Sequence, residues 1–295
     1  MRLGTRGSAL ALAQAKLVAE ALGDAEIVVV KTSGDRGERG GDKARFVREI
    51  EHALLGGEVD LGVHSAKDLP TDLPEGLEIV AVPAREGAAD CFVGESGSLA
   101  GVPEGARVGT ASLRRRSQLL ALRPDLEIAE LRGNVDTRLH KLEAGDYDGI
   151  VLAAAGLRRL GRESEIAFRF AAAELTPAAG QGALALEARG DDANTIATAG
   201  SLTDEAALVE LTAERATVAE LGASCHTPVG VHARLDRNDL GIEAFVGLPD
   251  GSDWVRDAIA GDPEDPMALG IELGGRLLAA GAGEILERAE GVAQR

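Results

Sequence analysis

Short apolar runs typical of β-strands alternate with helical patterns through the first half of this chain, and this alternation constrains its fold most. The strand-like runs are bounded by turn residues and cover 26–30, 59–63, 78–82, 107–110 and 149–153. Apolar residues at helical spacing lie between them, over 9–22, 45–55, 113–122 and 137–144. Alternation of this kind predicts an α/β protein with mainly parallel sheets.

The part of the chain after residue 200 has a different pattern. A helix is predicted over 205–221, two strands over 229–235 and 240–246, and a turn over 247–251. This order indicates a smaller α+β domain. The 295 residues also exceed what one compact core usually holds, so the sequence predicts two or three domains.

The chain is strongly acidic, with 49 acidic and 31 basic side chains and a net charge of −18. This charge excludes a nonspecific binder of DNA or of acidic membranes, because phosphate groups require an excess of lysine and arginine. Aromatic residues make up 2% of the chain, which argues against a stacking surface for single-stranded nucleic acid. Only five basic residues are lysines, and an acidic, lysine-poor composition is typical of a halophilic protein.

Cysteine and histidine are sparse. Two cysteines are too few for a disulfide framework or a four-sulfur zinc site, and the five histidines have no paired ligand spacing, so we predict no metal. Near the N-terminus, Lys16 and Glu20 follow an apolar stretch that is too short and too polar for a signal peptide or a membrane span. We therefore expect a cytoplasmic protein.

Arginine is concentrated between residues 105 and 170, where twelve basic side chains outnumber nine acidic ones. The clusters lie at 114–116, 132–138 and 158–159. The first follows small hydroxyl residues that lead into a helix, so backbone N–H groups and guanidinium groups can form a cradle for an anion. Positive charge in a first helical turn opposes the helix dipole and favours an anionic partner. Surface decoration is the alternative, but three clusters favour a ligand with several carboxylates or phosphates.

Two further segments contain chemically useful side chains. The segment HSAKDLP at 64–70 follows a strand directly, so its serine, lysine and aspartate lie where open α/β sheets bind ligands. A local lysine–aspartate pair in an ordinary turn is the alternative. Cys225 lies in a loop rich in glycine, serine and proline and is available as a nucleophile or attachment point, whereas Cys91 in a strand-like run fits a buried apolar role.

Eight segments in one order, spread over nearly the whole chain, resemble the porphobilinogen deaminase family. They read GTRGSALALAQA, HSAKDLP, GTASLRRR, LRGNVDTRL, AAAGLRRLG, PAAGQGALALE, TAERA and SCHTPVG. Each is weak alone, but together and in register they are highly specific.

The resemblance implies two lobes similar to type II periplasmic binding proteins and a small C-terminal α+β domain. The first lobe would comprise 1–84 and 184–200, the second 85–183, and the C-terminal domain 201–295. The implied activity is the stepwise head-to-tail condensation of four porphobilinogen molecules, with loss of ammonia, to give hydroxymethylbilane. The implied protein is a monomer with no nucleic-acid or membrane partner.

The resemblance also implies roles for residues. A dipyrromethane cofactor would be attached through a thioether to Cys225, and Asp68 would be the catalytic carboxylate, stabilising positive charge on pyrrole nitrogens and relaying protons. The residues implied to bind the carboxylate arms of substrate and cofactor are Arg6, Ser8, Gln14, Arg114, Arg115, Arg132, Arg138 and Arg159. Those implied to hold the cofactor are Ser65, Lys67, Thr110 and Ser112.

The sequence departs from the family pattern in two places. Ala223-Ser224 replaces the usual Gly-Gly before the cysteine, and His226 replaces the usual glutamine. The segment that matches the family's mobile lid has an extra aspartate, and the stretch before it is shortened. Roles for Lys43 and Arg39 in this lid therefore stay undefined.

Two other functions fit parts of the sequence. A non-catalytic two-lobe protein that binds anions would explain the arginine clusters, but not Cys225 or the third domain. A hydrolase that pairs Cys225 with His226 is disfavoured, because adjacent side chains seldom form a nucleophile–base pair and no orienting acid is evident.

Overall fold

The computed structural model describes residues 1–30, 43–224 and 227–293. Of the predicted site residues, Arg39 and Cys225 lie outside the described residues, and only the backbone of Lys43 is described. The described chain divides into two compact units, Met1–Glu86 with Gly182–Leu208 and Gly87–Gln181 with Val209–Arg295. The three domain boundaries inferred from the sequence stay a prediction.

The elements follow one another in a mixed order of strands and helices. The strands are β1 (Arg2–Thr5), β2 (Glu26–Val29), β3 (Leu61–Ser65), β4 (Leu77–Ala81), β5 (Asp90–Gly94), β6 (Arg107–Gly109), β7 (Glu127–Ala129), β8 (Gly149–Ala153), β9 (Phe168–Arg169), β10 (Leu184–Arg189), β11 (Val229–Asp236), β12 (Asp239–Gly247) and β13 (Trp254–Gly261). The helices are α1 (Ala9–Leu22), α2 (Lys43–Leu55), α3 (Leu113–Leu122), α4 (Val135–Glu143), α5 (Ala154–Arg159), α6 (Ala193–Gly200), α7 (Glu205–Glu220), α8 (Pro266–Ala279) and α9 (Ala282–Ala293).

The sheet of the first unit has the order β2-β1-β3-β10-β4. Strand β1 runs parallel to both β2 and β3, so the carboxyl ends of β1 and β3 meet at one edge. Strand β10 returns from far along the chain and pairs antiparallel with β3 and with β4. The sheet is therefore mixed, where the sequence predicted mainly parallel pairing. Its core includes the buried side chains of Leu3, Leu61, Val63 and Leu186.

The five-stranded sheet of the second unit has the order β7-β6-β8-β5-β9 and repeats this plan. Strands β7, β6 and β8 are parallel, and β5 is antiparallel to both β8 and β9. Its core includes Val108, Val151 and Phe92, whose ring stacks on Phe168 at a centroid distance of 5.1 Å. Three adjacent parallel strands place three carboxyl ends at one edge, where loops can converge on a ligand.

The C-terminal part of the second unit is a three-stranded antiparallel sheet, β11-β12-β13, with α8 and α9 packed against it. The sequence indicated β11 and β12 but not β13. This strand alternates exposed and half-buried residues, and only the partly buried Val255 and Ile259 pack on the core. The period-2 pattern of an edge strand with so little apolar surface is weak in sequence.

Candidate functional site

The carboxyl edge of the first unit gathers five of the predicted residues. Arg6 and Ser8 lie in the turn between β1 and α1, and Ser8 caps the helix by accepting a hydrogen bond from the Ala11 N–H at 3.3 Å. Ser65 ends β3, and the 3₁₀ turn Ala66–Asp68 continues from it. Because β1 and β3 are adjacent and parallel, these two turns lie at the same edge of the sheet.

A side-chain hydrogen bond from Gln14 joins α1 to the end of β3. Gln14 is 4% exposed, and its Nε2 lies 2.9 Å from the Ser65 Oγ. The 3₁₀ turn is held from its other side, since the Ala66 N–H donates to the Ala183 carbonyl at 3.1 Å. Lys67 and Asp68 are both half-buried in this turn. Contacts at two neighbouring residues, Ser65 and Ala66, therefore hold the start of the turn that contains Asp68.

The carboxyl edge of the second unit has hydroxyl groups at a helix N-terminus. Thr110 and Ser112 follow β6, and the Ser112 Oγ caps α3 by accepting from the Arg115 N–H at 3.4 Å. The Thr110 Oγ1 accepts from the Ser112 N–H at 3.2 Å. This helix N-terminus adds the positive end of its dipole to the edge.

Three of the predicted arginines follow β7 and β8 at that edge. Arg132 precedes α4, is 70% exposed in its side chain and pairs with Glu130 at 2.7 Å. The Arg138 Nε donates to the Gly133 carbonyl at 2.8 Å, and Gly133 has a φ of 121°, which favours glycine. Arg159 ends α5 and is half-buried. The guanidinium groups at this edge thus differ in exposure: Arg132 is largely exposed, whereas Arg138 and Arg159 are half-buried.

The other two predicted arginines are buried inside the second unit. Arg114 and Arg115 are 4% and 5% exposed, and both pair with Asp90 at 2.7 Å. Arg114 also donates to the Thr176 carbonyl at 2.7 Å, and Arg115 to the Val151 carbonyl at 2.9 Å. The structure therefore gives them a role in holding the lobe together that the sequence did not indicate. Their contact with substrate carboxylates stays a prediction.

Asp90 also lies at the carboxyl edge of this sheet, and the sequence analysis did not predict it as a site residue. It begins β5 and pairs in register with Ala153, the last residue of β8, so an antiparallel strand brings it to the carboxyl edge. Burial alone would raise the pKa of its carboxyl, but the charges of Arg114 and Arg115 and a hydrogen bond from Gln181 hold that pKa well below its usual range. The signal available in sequence was an aspartate in an otherwise apolar strand-like run.

Cys91 has the apolar role predicted for it. Its side chain is fully buried, and the Sγ donates to the Leu152 carbonyl at 3.4 Å. Burial raises the pKa of this thiol to about 12, which keeps it protonated and unreactive at neutral pH.

Among the described residues, no helix has both the length and the apolar character that a membrane crossing requires. Within the same ranges, no group of three or more His, Cys, Asp or Glu side chains is placed to hold a metal ion.

Comparison with known proteins gives matches over nearly the whole chain. Residues 1–197 match the family described as porphobilinogen deaminase, dipyromethane cofactor binding domain, and residues 208–279 match its C-terminal domain. The porphobilinogen deaminase of Deinococcus radiodurans is 45% identical, over 97% of this chain and 97% of its own. That of Thermus thermophilus is 46% identical, over 96% of this chain and 97% of its own.

Similarity to solved structures is much weaker in sequence. A periplasmic binding protein of Salmonella typhimurium with high arginine specificity is 14% identical, with a TM-score of 0.40. The match covers 68% of this chain and 90% of that one.

Proposed function

The chain belongs to the porphobilinogen deaminase family, and on that premise we propose that it condenses four porphobilinogen molecules head to tail, with loss of ammonia, to give hydroxymethylbilane. The observation that supports this most is the turn Ala66–Asp68, which continues from β3 beside the end of β1. It offers a half-buried carboxylate in a turn whose start is held by Ala183 and follows a serine that is itself held by Gln14.

Asp68 is the proposed catalytic residue. Loss of ammonia and the following carbon–carbon bond formation both build positive charge on pyrrole nitrogens. A carboxylate beside the pyrrole N–H groups stabilises that charge most where it is greatest, in the transition state. The same carboxylate can accept and return a proton as the ring regains aromaticity.

The residues present fit a dipyrromethane cofactor. The carboxyl edge of the second unit presents the Thr110 and Ser112 hydroxyls and a helix N-terminus, which suit the carboxylate arms of such a group. Ser65 and Lys67 offer a hydroxyl and a cation at the edge of the first unit. When bound, the cofactor supplies the pyrrole carbon from which the chain grows. We propose a thioether to Cys225 as its attachment, on the strength of the SCHTPVG loop alone.

The arginines at the edge of the second unit are the proposed ligands of the acetate and propionate arms. Arg132, Arg138 and Arg159 suit this task because a guanidinium group can donate two parallel hydrogen bonds to one carboxylate. We also propose Arg6, Ser8 and Gln14 of the first unit as ligands of carboxylate arms. Arg114 and Arg115 are proposed as further ligands in the second unit, where Asp90 keeps both guanidinium groups oriented.

We further propose a monomer that works in a salt-rich cytoplasm. Two cysteines, too few for a disulfide framework, fit a reducing compartment, and the net charge of −18 with few lysines fits high salt. Sedimentation and turnover measured from low to molar KCl test this. A dimer, or an activity optimum without added salt, would contradict it.

The experiment that tests the function is mass spectrometry of the purified protein and of its peptides, together with an assay for hydroxymethylbilane. We expect an added mass of two linked pyrrole units on the peptide that contains Cys225 and on no other. The Cys91→Ser variant is the matched control and should keep both the adduct and turnover. An unmodified chain that binds porphobilinogen without consuming it would instead identify a non-catalytic anion-binding protein.

A further inference from the structure

Three ionisable side chains are buried together in the first unit, on the face of the sheet that packs against α2. Glu187 of β10 is fully buried, Glu51 of α2 is 3% exposed, and His64 of β3 is 5% exposed. The proposed mechanism uses none of them. Because burying an unpaired charge is costly, such a group needs a compensating arrangement.

The geometry of two antiparallel strands brings His64 to Glu187. Glu187 is the register partner of Gly62, and Gly62 lies two residues before His64 on the same face of β3. A Cβ on Gly62 would lie only 2.8 Å from the His64 Nε2, so the imidazole extends over the glycine towards the neighbouring strand. There the Nε2 lies 3.0 Å from the Glu187 Oε2. The glycine makes room for this contact.

The charges of the cluster cannot all be present at once without cost. One imidazole can balance only one of the two buried carboxylates. Burial first, and the negative charge of Glu187 second, raise the pKa of the Glu51 carboxyl, whereas His64, His52 and Arg48 lower it to a smaller extent. The arrangement of lowest cost has a neutral Glu51 beside a Glu187–His64 pair.

The cluster lies directly behind the proposed catalytic turn. His64 precedes Ser65, and the strand then passes into the turn that contains Asp68. Side chains alternate along a strand, so His64 and Ser65 point to opposite faces of the sheet. Gln14 holds the strand end through Ser65 on one face, and Glu187 holds it through His64 on the other.

We propose that His64 is a positioning residue for Asp68, held in place by its contact with Glu187 of the neighbouring strand β10. This inference rests on the proposed function, because it assigns Asp68 its catalytic role. Displacement of a catalytic group by about 1 Å can cost as much as ~10²-fold in rate, so a loosened strand end should lower kcat strongly.

The test compares three isosteric substitutions in the full-length protein. Glu187→Gln removes the partner charge of His64, and we expect kcat to fall by about tenfold or more with KM changed less than about twofold. Glu51→Gln mimics the protonated acid and should lower kcat by less than about threefold. Glu78→Gln is the matched control, an exposed glutamate on β4 of the same sheet, and should behave as the parent does.

A second measurement separates positioning from a loss of folded protein. The imidazole NMR signals of His64 are identified by comparison with the spectrum of His64→Gln. We expect Glu187→Gln to shift these imidazole signals and to lower kcat, while the mass of bound cofactor stays as in the parent. Equal effects of the Glu187 and Glu51 substitutions on kcat, or unchanged His64 imidazole signals in Glu187→Gln, would overturn the proposal.

The two proposals fail in different ways. If the parent forms no hydroxymethylbilane, the proposed function is wrong, and the positioning role of His64 falls with it, whatever the NMR spectra show. If the parent is active and Glu187→Gln matches Glu78→Gln in kcat, the function stands and only the role of His64 is refuted.

Discussion

Arg115 donates two hydrogen bonds to one oxygen of Asp90, from Nε at 3.0 Å and from Nη2 at 2.7 Å. The second oxygen of the same carboxylate accepts from the Arg114 Nη1 at 2.7 Å. One fully buried carboxylate thus pairs with two guanidinium groups at the start of β5. Because all three residues are at most 5% exposed, water cannot readily take the place of the carboxylate.

Asp90→Asn should therefore destabilise the protein strongly. It leaves two buried arginines without a counter-charge, and breaking a buried ion pair in this way costs roughly 3–5 kcal/mol in the free energy of unfolding. Urea unfolding followed by circular dichroism measures the loss. Asp257→Asn is the control, since it breaks a more exposed pair with Arg276 in the same unit. If the two substitutions lower the free energy of unfolding equally, the buried pairs of Asp90 stabilise the protein no more than a surface pair does.

The same pair predicts a pH dependence of stability. The pKa of Asp90 is lowered on folding, so its contribution is fully present above the ordinary value of 3.8 and is lost as the pH falls below that value. We expect the parent to lose thermal stability below about pH 4 more steeply than Asp90→Asn does. Calorimetric melting temperatures at a series of acidic pH values give both slopes, and parallel curves would contradict the assignment.

The buried Glu51 predicts a dependence of the opposite sign. Its pKa is raised on folding, so the contribution of Glu51 to stability is most favourable at acidic pH and becomes less favourable as the pH rises above the ordinary glutamate value of 4.5. Glu51→Gln removes this penalty. Its melting temperature should exceed that of the parent near pH 8 and converge with it near pH 4. A constant difference at all pH values would mean that Glu51 does not titrate differently in the folded state.

The two cysteines should differ completely in reactivity. Cys91 is buried with a pKa of about 12, and Cys225 is proposed to be in a thioether. We expect no thiol to react with a soluble aromatic disulfide reagent in the native protein and one thiol to react after denaturation. In Cys91→Ser, no thiol should react in either state. Two reactive thiols in the denatured parent would show that Cys225 carries no stable adduct.

Asp68→Asn keeps the size and shape of the side chain but removes its charge. If the carboxylate acts on charge that develops in the transition state, kcat should fall by about 10²-fold or more while KM changes little. Single-turnover measurements with a bound cofactor quantify the effect. An increase confined to KM would indicate that Asp68 is not the catalytic carboxylate and only forms a local pair in the turn.

Local patterns predicted the elements that depend on nearby residues. The predicted helices 9–22 and 113–122 coincide with α1 and α3, whose starts are fixed by the capping serines Ser8 and Ser112. The strand predicted over 59–63 begins two residues later, at Leu61, because the ladder starts where β3 meets Leu3 of β1. Periodicity shows that a strand exists, but its partner sets where it begins.

Elements and contacts that depend on distant residues could not be predicted. The family resemblance implied that residues 184–200 return to the first lobe, but no local pattern specifies that β10 pairs antiparallel with β3, more than a hundred residues away. Asp90 meets Arg114 and Arg115 only because β5 runs against β8. For the same reason, the sequence predicts that both arginines bind substrate carboxylates and does not indicate that the Asp90 carboxylate already pairs with them.

The exposed arginines predict a defect in chain growth. Arg132 is 70% exposed in its side chain, and the partner of that side chain among the described residues is Glu130. Water screens this surface pair, so a carboxylate arm of the growing chain can replace Glu130 at little cost. Arg132→Leu should therefore slow elongation and cause intermediates with bound substrate units to accumulate.

Arg107→Leu is the matched control, because it removes the same charge from the amino end of β6, at the opposite edge of the sheet. Anion-exchange chromatography separates the bound intermediates, since each added unit contributes two carboxylates. If both variants gave the parent's distribution of intermediates, Arg132 would not bind the growing chain, and the exposed guanidinium group would be part of the ordinary surface of an acidic protein.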